Sequence, residues 1–147
     1  MTMNIISAKN NDQEKSTHTS EEFSQRILIF STDNDFCRSL TMLFQSKYQV
    51  VSATSIEELQ MKMSKERIDL LLTDSTKSDK DIFLVVKNIK STYPHLFIVL
   101  LYVYKYSDGE QEKQFRQYVD AILYKPVDAP KMMDIMDDLL TSKNRNS

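Results

Sequence analysis

Ile68-Asp69-Leu70-Leu71-Leu72-Thr73 runs directly into Asp74. Three consecutive leucines without polar alternation describe a strand covered on both faces, as in a parallel sheet, rather than one with a wet side. The neighbouring segments extend that description. Arg26-Ile27-Leu28-Ile29-Phe30, Tyr48 to Ala53, Leu96 to Val103 and Val119 to Leu123 are further short apolar runs, and Leu96 to Val103 is the most apolar of them. Between them the pattern changes to the period of a helix. Phe36, Leu40, Leu43 and Phe44 fall at i, i+4, i+7 and i+8. Ser55 stands three residues before Glu58, the spacing of a capping box, ahead of a stripe of Ile56, Leu59 and Met63. Ile82, Phe83, Val86 and Ile89 mark a third helix that Pro94 helps to end.

Ser107 to Tyr118 predicts a polar helix anchored chiefly by Phe115. Asp128 is placed to cap a last helix, with Pro130 tolerable in its first turn and Met132, Met133, Ile135, Met136, Leu139 and Leu140 on its buried side. The sum is an α/β fold: a five-stranded parallel sheet, doubly wound as a (βα)5 flavodoxin-like three-layer sandwich. The expected domain spans residues 26–140. A polar run from Ser7 to Ser20 makes residues 1–25 a flexible tail by composition, and residues 141–147 a second, frayed one.

Composition removes several function classes. The chain of 147 residues has a single glycine, Gly109, where average usage predicts about ten. Gly-x-Gly-x-x-Gly turns and Walker-type phosphate loops are therefore excluded. A net charge of −2 gives no basic footprint for nucleic acid. The lone Cys37 permits neither an internal disulfide nor a cysteine-rich zinc site. No secretory signal or membrane-length apolar run is visible, so no membrane insertion and a cytoplasmic setting are expected.

In a doubly wound sheet, ligands sit at the carboxyl ends of the strands near the point where strand order reverses. Those ends carry Ser31-Thr32-Asp33, Asp74, Tyr102-Val103 and Lys125-Pro126. An aspartate and a lysine at neighbouring strand ends fit two descriptions. One is phosphoryl chemistry, with Asp74 as nucleophile and Lys125 neutralising the phosphoryl oxygens. The other is a structural ion pair.

Taken together and in order, Ile27 to Phe30 with its polar sequel, Asp69 to Asp74, the apolar fourth strand and Lys125-Pro126 resemble the receiver domain of bacterial two-component response regulators. The resemblance covers about Arg26 to Leu140. It implies that Asp74 holds the phosphoacceptor position and Lys125 the phosphoryl-contact position. It also implies departures. The adjacent carboxylates that hold Mg²⁺ in the family are replaced by Ser31 and Thr32, the hydroxyl switch of the fourth strand by Tyr102, and the aromatic of the fifth strand by Ile122. Neutral hydroxyls are poor ligands for Mg²⁺, so no cofactor is expected, and a weak metal site survives only if Asp33 joins Asp74. Asp33 is better suited to cap the first helix.

The function expected from the resemblance is a stand-alone atypical receiver, not an enzyme, in phosphorelay signalling. It would act through contacts with signalling proteins, a sensor histidine kinase among them, with Mg²⁺-dependent phosphorylation impaired. Output through partners is expected because only a short tail follows the receiver-like region. Gln111, Gln114, Phe115, Arg116 and Tyr118 are the candidate interaction surface, and the alternating Tyr102, Tyr104 and Tyr106 are either an exposed aromatic strip or an extension of the strand. Two alternatives stand beside this. One is a response regulator still phosphorylated on Asp74. The other is a flavodoxin-like anion or flavin binder that uses Ser31-Thr32.

Overall fold

The computed structural model describes residues 25–75, 80–103 and 109–146. Tyr104, Tyr106, residues 76–79 of the loop after Asp74 and residues 1–24 of the expected N-terminal tail lie outside this set.

Among the described residues, five strands and five helices alternate: β1 (Arg26–Phe30), α1 (Asn34–Phe44), β2 (Gln49–Ala53), α2 (Ile56–Lys65), β3 (Leu70–Ser75), α3 (Lys80–Thr92), β4 (Phe97–Val103), α4 (Gly109–Arg116), β5 (Ala121–Lys125) and α5 (Ala129–Asn146). The strands form one parallel sheet in the order β2-β1-β3-β4-β5. Strand order reverses between β1 and β3, so their carboxyl ends open the crevice of a doubly wound sheet.

The apolar runs divide by parity between two cores. Ile27, Ile29, Leu70, Leu72, Val99 and Leu101 face Cys37, Leu40 and Phe44 of α1 and Met132, Met136 and Leu140 of α5. Leu28, Phe30, Leu71, Ile98, Leu100 and Tyr102 face Leu59 and Met63 of α2, Ile82, Val86 and Ile89 of α3, and Phe115 of α4. Burial on both faces is what the unalternated leucines of β3 require.

Capping follows the local sequence. Asp33 is the N-cap of α1, its carboxylate accepting the Phe36 N–H at 3.1 Å. Ser55 caps α2 by accepting the Glu58 N–H at 3.1 Å, and Glu58 reaches back to the Thr54 N–H at 2.9 Å. That reciprocal bond, with Lys62 beside it, holds the Glu58 carboxyl below its usual range.

Several boundaries differ from the sequence expectation, among them the start of β3 at Leu70 rather than Ile68, the start of β4 at Phe97 rather than Leu96 and the end of α4 at Arg116 rather than Tyr118. Val119 is not in β5, because its N–H closes the end of α4 on the Phe115 carbonyl at 3.0 Å. The strand begins at Ala121 and extends to Lys125. Tyr48 likewise donates to the Phe44 carbonyl at the end of α1, so β2 starts at Gln49. The last helix continues to Asn146, through most of the segment expected to fray. No Pro or Gly interrupts Thr141 to Asn146, and Lys143 and Arg145 cost a helix little.

Candidate functional site

β3 and β5 carry the two charged groups of the site, and β4 separates them. Asp74 pairs in register with Leu101, and Leu101 with Leu123. Asp74 therefore projects on the α1/α5 face, and so does Lys125, two residues beyond Leu123. Two strand spacings are roughly 10 Å, which an extended lysine spans only by lying across the end of β4. Lys125 does so: its Nζ donates to Asp74 Oδ2 at 3.0 Å. The two side chains are 26% and 14% exposed, so water screens the pair only in part. The ammonium also stands 4.8 Å from the centroid of the Phe36 ring on α1, within cation–π range. The Lys125–Pro126 peptide is cis.

On the β1 side, Ser31 is buried and its Oγ accepts the Asp33 N–H at 3.1 Å. Ser31 and Asp33 are thus both engaged in starting α1. Thr32 is exposed. A cleft of about 340 Å³ opens over these groups, lined among others by Thr32, Asp33, Asp74, Asp81 and Lys125. Among the described residues that line it, Lys125 is the one cation, against three carboxylates. Among the described residues there is no group of three or more His, Cys, Asp or Glu side chains placed to hold a metal ion. Cys37 lies beneath, its thiol directed at the Ser31 and Ala53 carbonyls at 3.5 and 3.9 Å, and burial pushes its pKa up. An undissociated buried thiol has no nucleophilic role here.

Tyr102 is outside this cleft. Its neighbour Leu101 takes the α1/α5 face, so Tyr102 takes the other, where it is 1% exposed. Its ring packs edge-on against Phe115 and Tyr124, and its hydroxyl donates to Gln111 Oε1 at 3.0 Å. Tyr102 is thus no part of an exposed aromatic strip: its ring lies in the core and its hydroxyl bonds to protein. Ile122 pairs with Leu100 and packs against the same core.

The proposed contact surface also changes. Phe115 is fully buried against Phe83 and Tyr102 and drops out of it, since a helix with one large apolar residue turns that residue to the sheet. Gln111 and Tyr118 are half-buried, and Tyr118 meets Phe83 edge-on. Gln114 and Arg116 are exposed, with Arg116 paired to Glu112 at 2.9 Å. Three participants were not singled out from the sequence: Phe36 over Lys125, Asp81 on the cleft wall, and Glu112 beneath the Tyr124 hydroxyl. Phe36 fitted the apolar period of α1 so well that nothing set it apart.

A parallel 2-1-3-4-5 sheet with an aspartate at the end of β3 and a lysine at the end of β5 is the frame of a CheY-like response-regulator receiver domain, and this chain has that fold. Among solved structures, it is similar to a CheY-like response regulator receiver domain from Methanospirillum hungatei, at 20% identity over 84% of this chain and 98% of that one, with a TM-score of 0.75. A receiver domain from Clostridium thermocellum matches at 19% identity over 84% and 99% of the two chains, TM-score 0.71. A two-component response regulator from Clostridium difficile matches at 24% identity over 80% and 96%, TM-score 0.69. No family model and no curated protein matches the sequence. Among the described residues, no helix is long and apolar enough to cross a membrane.

Proposed function

We propose that this chain is a receiver-type module of two-component signalling that works through protein contacts, with Asp74 held in an ion pair rather than presented for Mg²⁺-dependent phosphorylation. The observation that carries this is the 3.0 Å bond between Lys125 and Asp74, beside a β1 end where hydroxyls stand in place of carboxylates.

Phosphoryl transfer to Asp74 requires a carboxylate oxygen to attack phosphorus while the donor's leaving group departs with the bonding electrons. Charge then gathers on the equatorial phosphoryl oxygens and needs cations to meet it. Here Lys125 is committed to the nucleophile itself, and Asp33 and Asp81 oppose an incoming anion. The donor set does not fit Mg²⁺, which wants anionic oxygens in octahedral geometry. Ser31 Oγ is spent on the Asp33 N–H, the Asp33 carboxylate accepts the Phe36 N–H, and Asp74 faces the lysine.

The partners that this function calls for are signalling proteins, a sensor histidine kinase among them, in the cytoplasm, and the chain itself is not an enzyme. The test is incubation with a small phosphodonor and Mg²⁺, read by intact mass. The expected result is no treatment-dependent adduct on either wild type or Asp74→Asn. An adduct on wild type that Asp74→Asn abolishes overturns the proposal in favour of a phosphorylatable regulator.

A further inference from the structure

α4 has eight residues, is polar along most of its length, and places one residue, Phe115, fully in the core. A helix this short has little stability of its own, so its seat on the sheet depends on what holds it there.

Two tyrosines stand beneath it. Tyr102 on β4 and Tyr124 on β5 are register partners, with ring centroids 6.4 Å apart in an edge-to-face arrangement. Their hydroxyls rise to consecutive residues of the helix. Tyr102 donates to Gln111 Oε1 at 3.0 Å, and Tyr124 donates to the Glu112 carboxylate. One turn on, Arg116 closes over the second bond, reaching Glu112 Oε2 at 2.9 Å and the Tyr124 hydroxyl at 3.3 Å. Consecutive helical residues point about 100° apart, so bonds to both fix the rotation of α4 about its axis as well as its height.

We infer that Tyr102 and Tyr124 form a latch that holds α4 in one orientation on the sheet, and that this latch, rather than chemistry at Asp74, sets the outer face carrying Gln114. The second part rests on the function proposed above. The first stands on the hydrogen bonds alone. The rings and hydroxyls serve separate ends: the rings fill the core with Phe115, and the hydroxyls register the helix. Replacing each tyrosine by phenylalanine keeps the packing and removes the latch.

The experiment is amide hydrogen exchange, resolved by peptide, on wild type, Tyr102→Phe, Tyr124→Phe and the double variant. Each single change is expected to speed exchange in residues 109–116 by roughly fivefold, and the double change by more than tenfold, with α1 unaltered. Less than a twofold change in α4 of the double variant overturns the latch. Equal acceleration in α1 and α4 also overturns it, because that is global destabilisation. Intact mass of the same samples and of Asp74→Asn after phosphodonor treatment separates the two claims. An Asp74-dependent adduct with a loosened double variant refutes the function and leaves the latch. No adduct with unaltered α4 exchange refutes the latch and leaves the function.

Discussion

Breaking the Lys125–Asp74 pair from its two ends separately measures whether it is a lock or an incidental approach. At 3.0 Å the Coulomb attraction is roughly 5 kcal/mol at an effective dielectric constant near 20. Desolvating both ions offsets most of that. With side chains 26% and 14% exposed, the pair lies between an exposed one, worth about 0–1 kcal/mol, and a buried one, whose rupture costs about 3–5 kcal/mol. Lys125→Met leaves the Asp74 carboxylate in a cleft shared with Asp33 and Asp81 and removes the cation from the Phe36 face. We expect it to cost about 2 kcal/mol. Asp74→Asn keeps the shape and an acceptor oxygen, and should cost about 1 kcal/mol. The double variant Lys125→Met/Asp74→Asn is expected to show a coupling energy of about 1.5 kcal/mol, as residues in direct contact do. Urea denaturation followed by far-ultraviolet circular dichroism gives all four corners of the cycle. Thermal unfolding should place Lys125→Met roughly 8 °C below wild type. A coupling below about 0.3 kcal/mol, or a stabilised Lys125→Met, refutes the reasoning.

Phe115→Ala removes a fully buried ring and is expected to cost about 3–4 kcal/mol in the same denaturation assay; a near-neutral result would return Phe115 to the surface. Asp33→Ala removes the N-cap of α1 and should cost about 1 kcal/mol, whereas Thr32→Ala, at an exposed position, should stay within about 0.5 kcal/mol of wild type. Burial first, and the Glu112 carboxylate second, raise the Tyr124 phenol above its ordinary 10.0. The folded state therefore favours the protonated form. Its contribution is complete below the ordinary value and is lost as pH rises through the folded value. The stability gap between wild type and Tyr124→Phe should accordingly hold constant below pH 10.0 and close above it, and a gap that stays level there refutes the assignment.

Local pattern carried most of the fold. The apolar runs at Ile27, Leu70 and Ile98 needed only their lack of alternation to be read as doubly covered strands, and Ser55 with Glu58 announced the start of α2 three residues apart. Strand ends were less legible. Val119 is as apolar as any strand residue, but its N–H is taken by the turn that leaves α4. Sequence also placed Asp74 and Lys125 at strand ends around one crevice, because that follows from the alternation of elements, but it set them on neighbouring strands, whereas β4 lies between them.

Tertiary structure decided how those groups are used. Lys125 and Asp74 are 51 residues apart, and their bond depends on the register of β3, β4 and β5, which no local window contains. Register parity likewise sent Tyr102 away from the cleft: one place along β4, Leu101 had already taken the face of Asp74. Phe115 and Phe36 show the same division. Periodicity says that each is apolar on a helix, but whether a ring lies in the core or over a lysine is set by which strand passes beneath it. Elements are dictated by interactions a few residues long, and their existence can be read from the chain. The site is made by side chains meeting across crossovers, and their meeting is fixed only when the two faces of the sheet are packed at once.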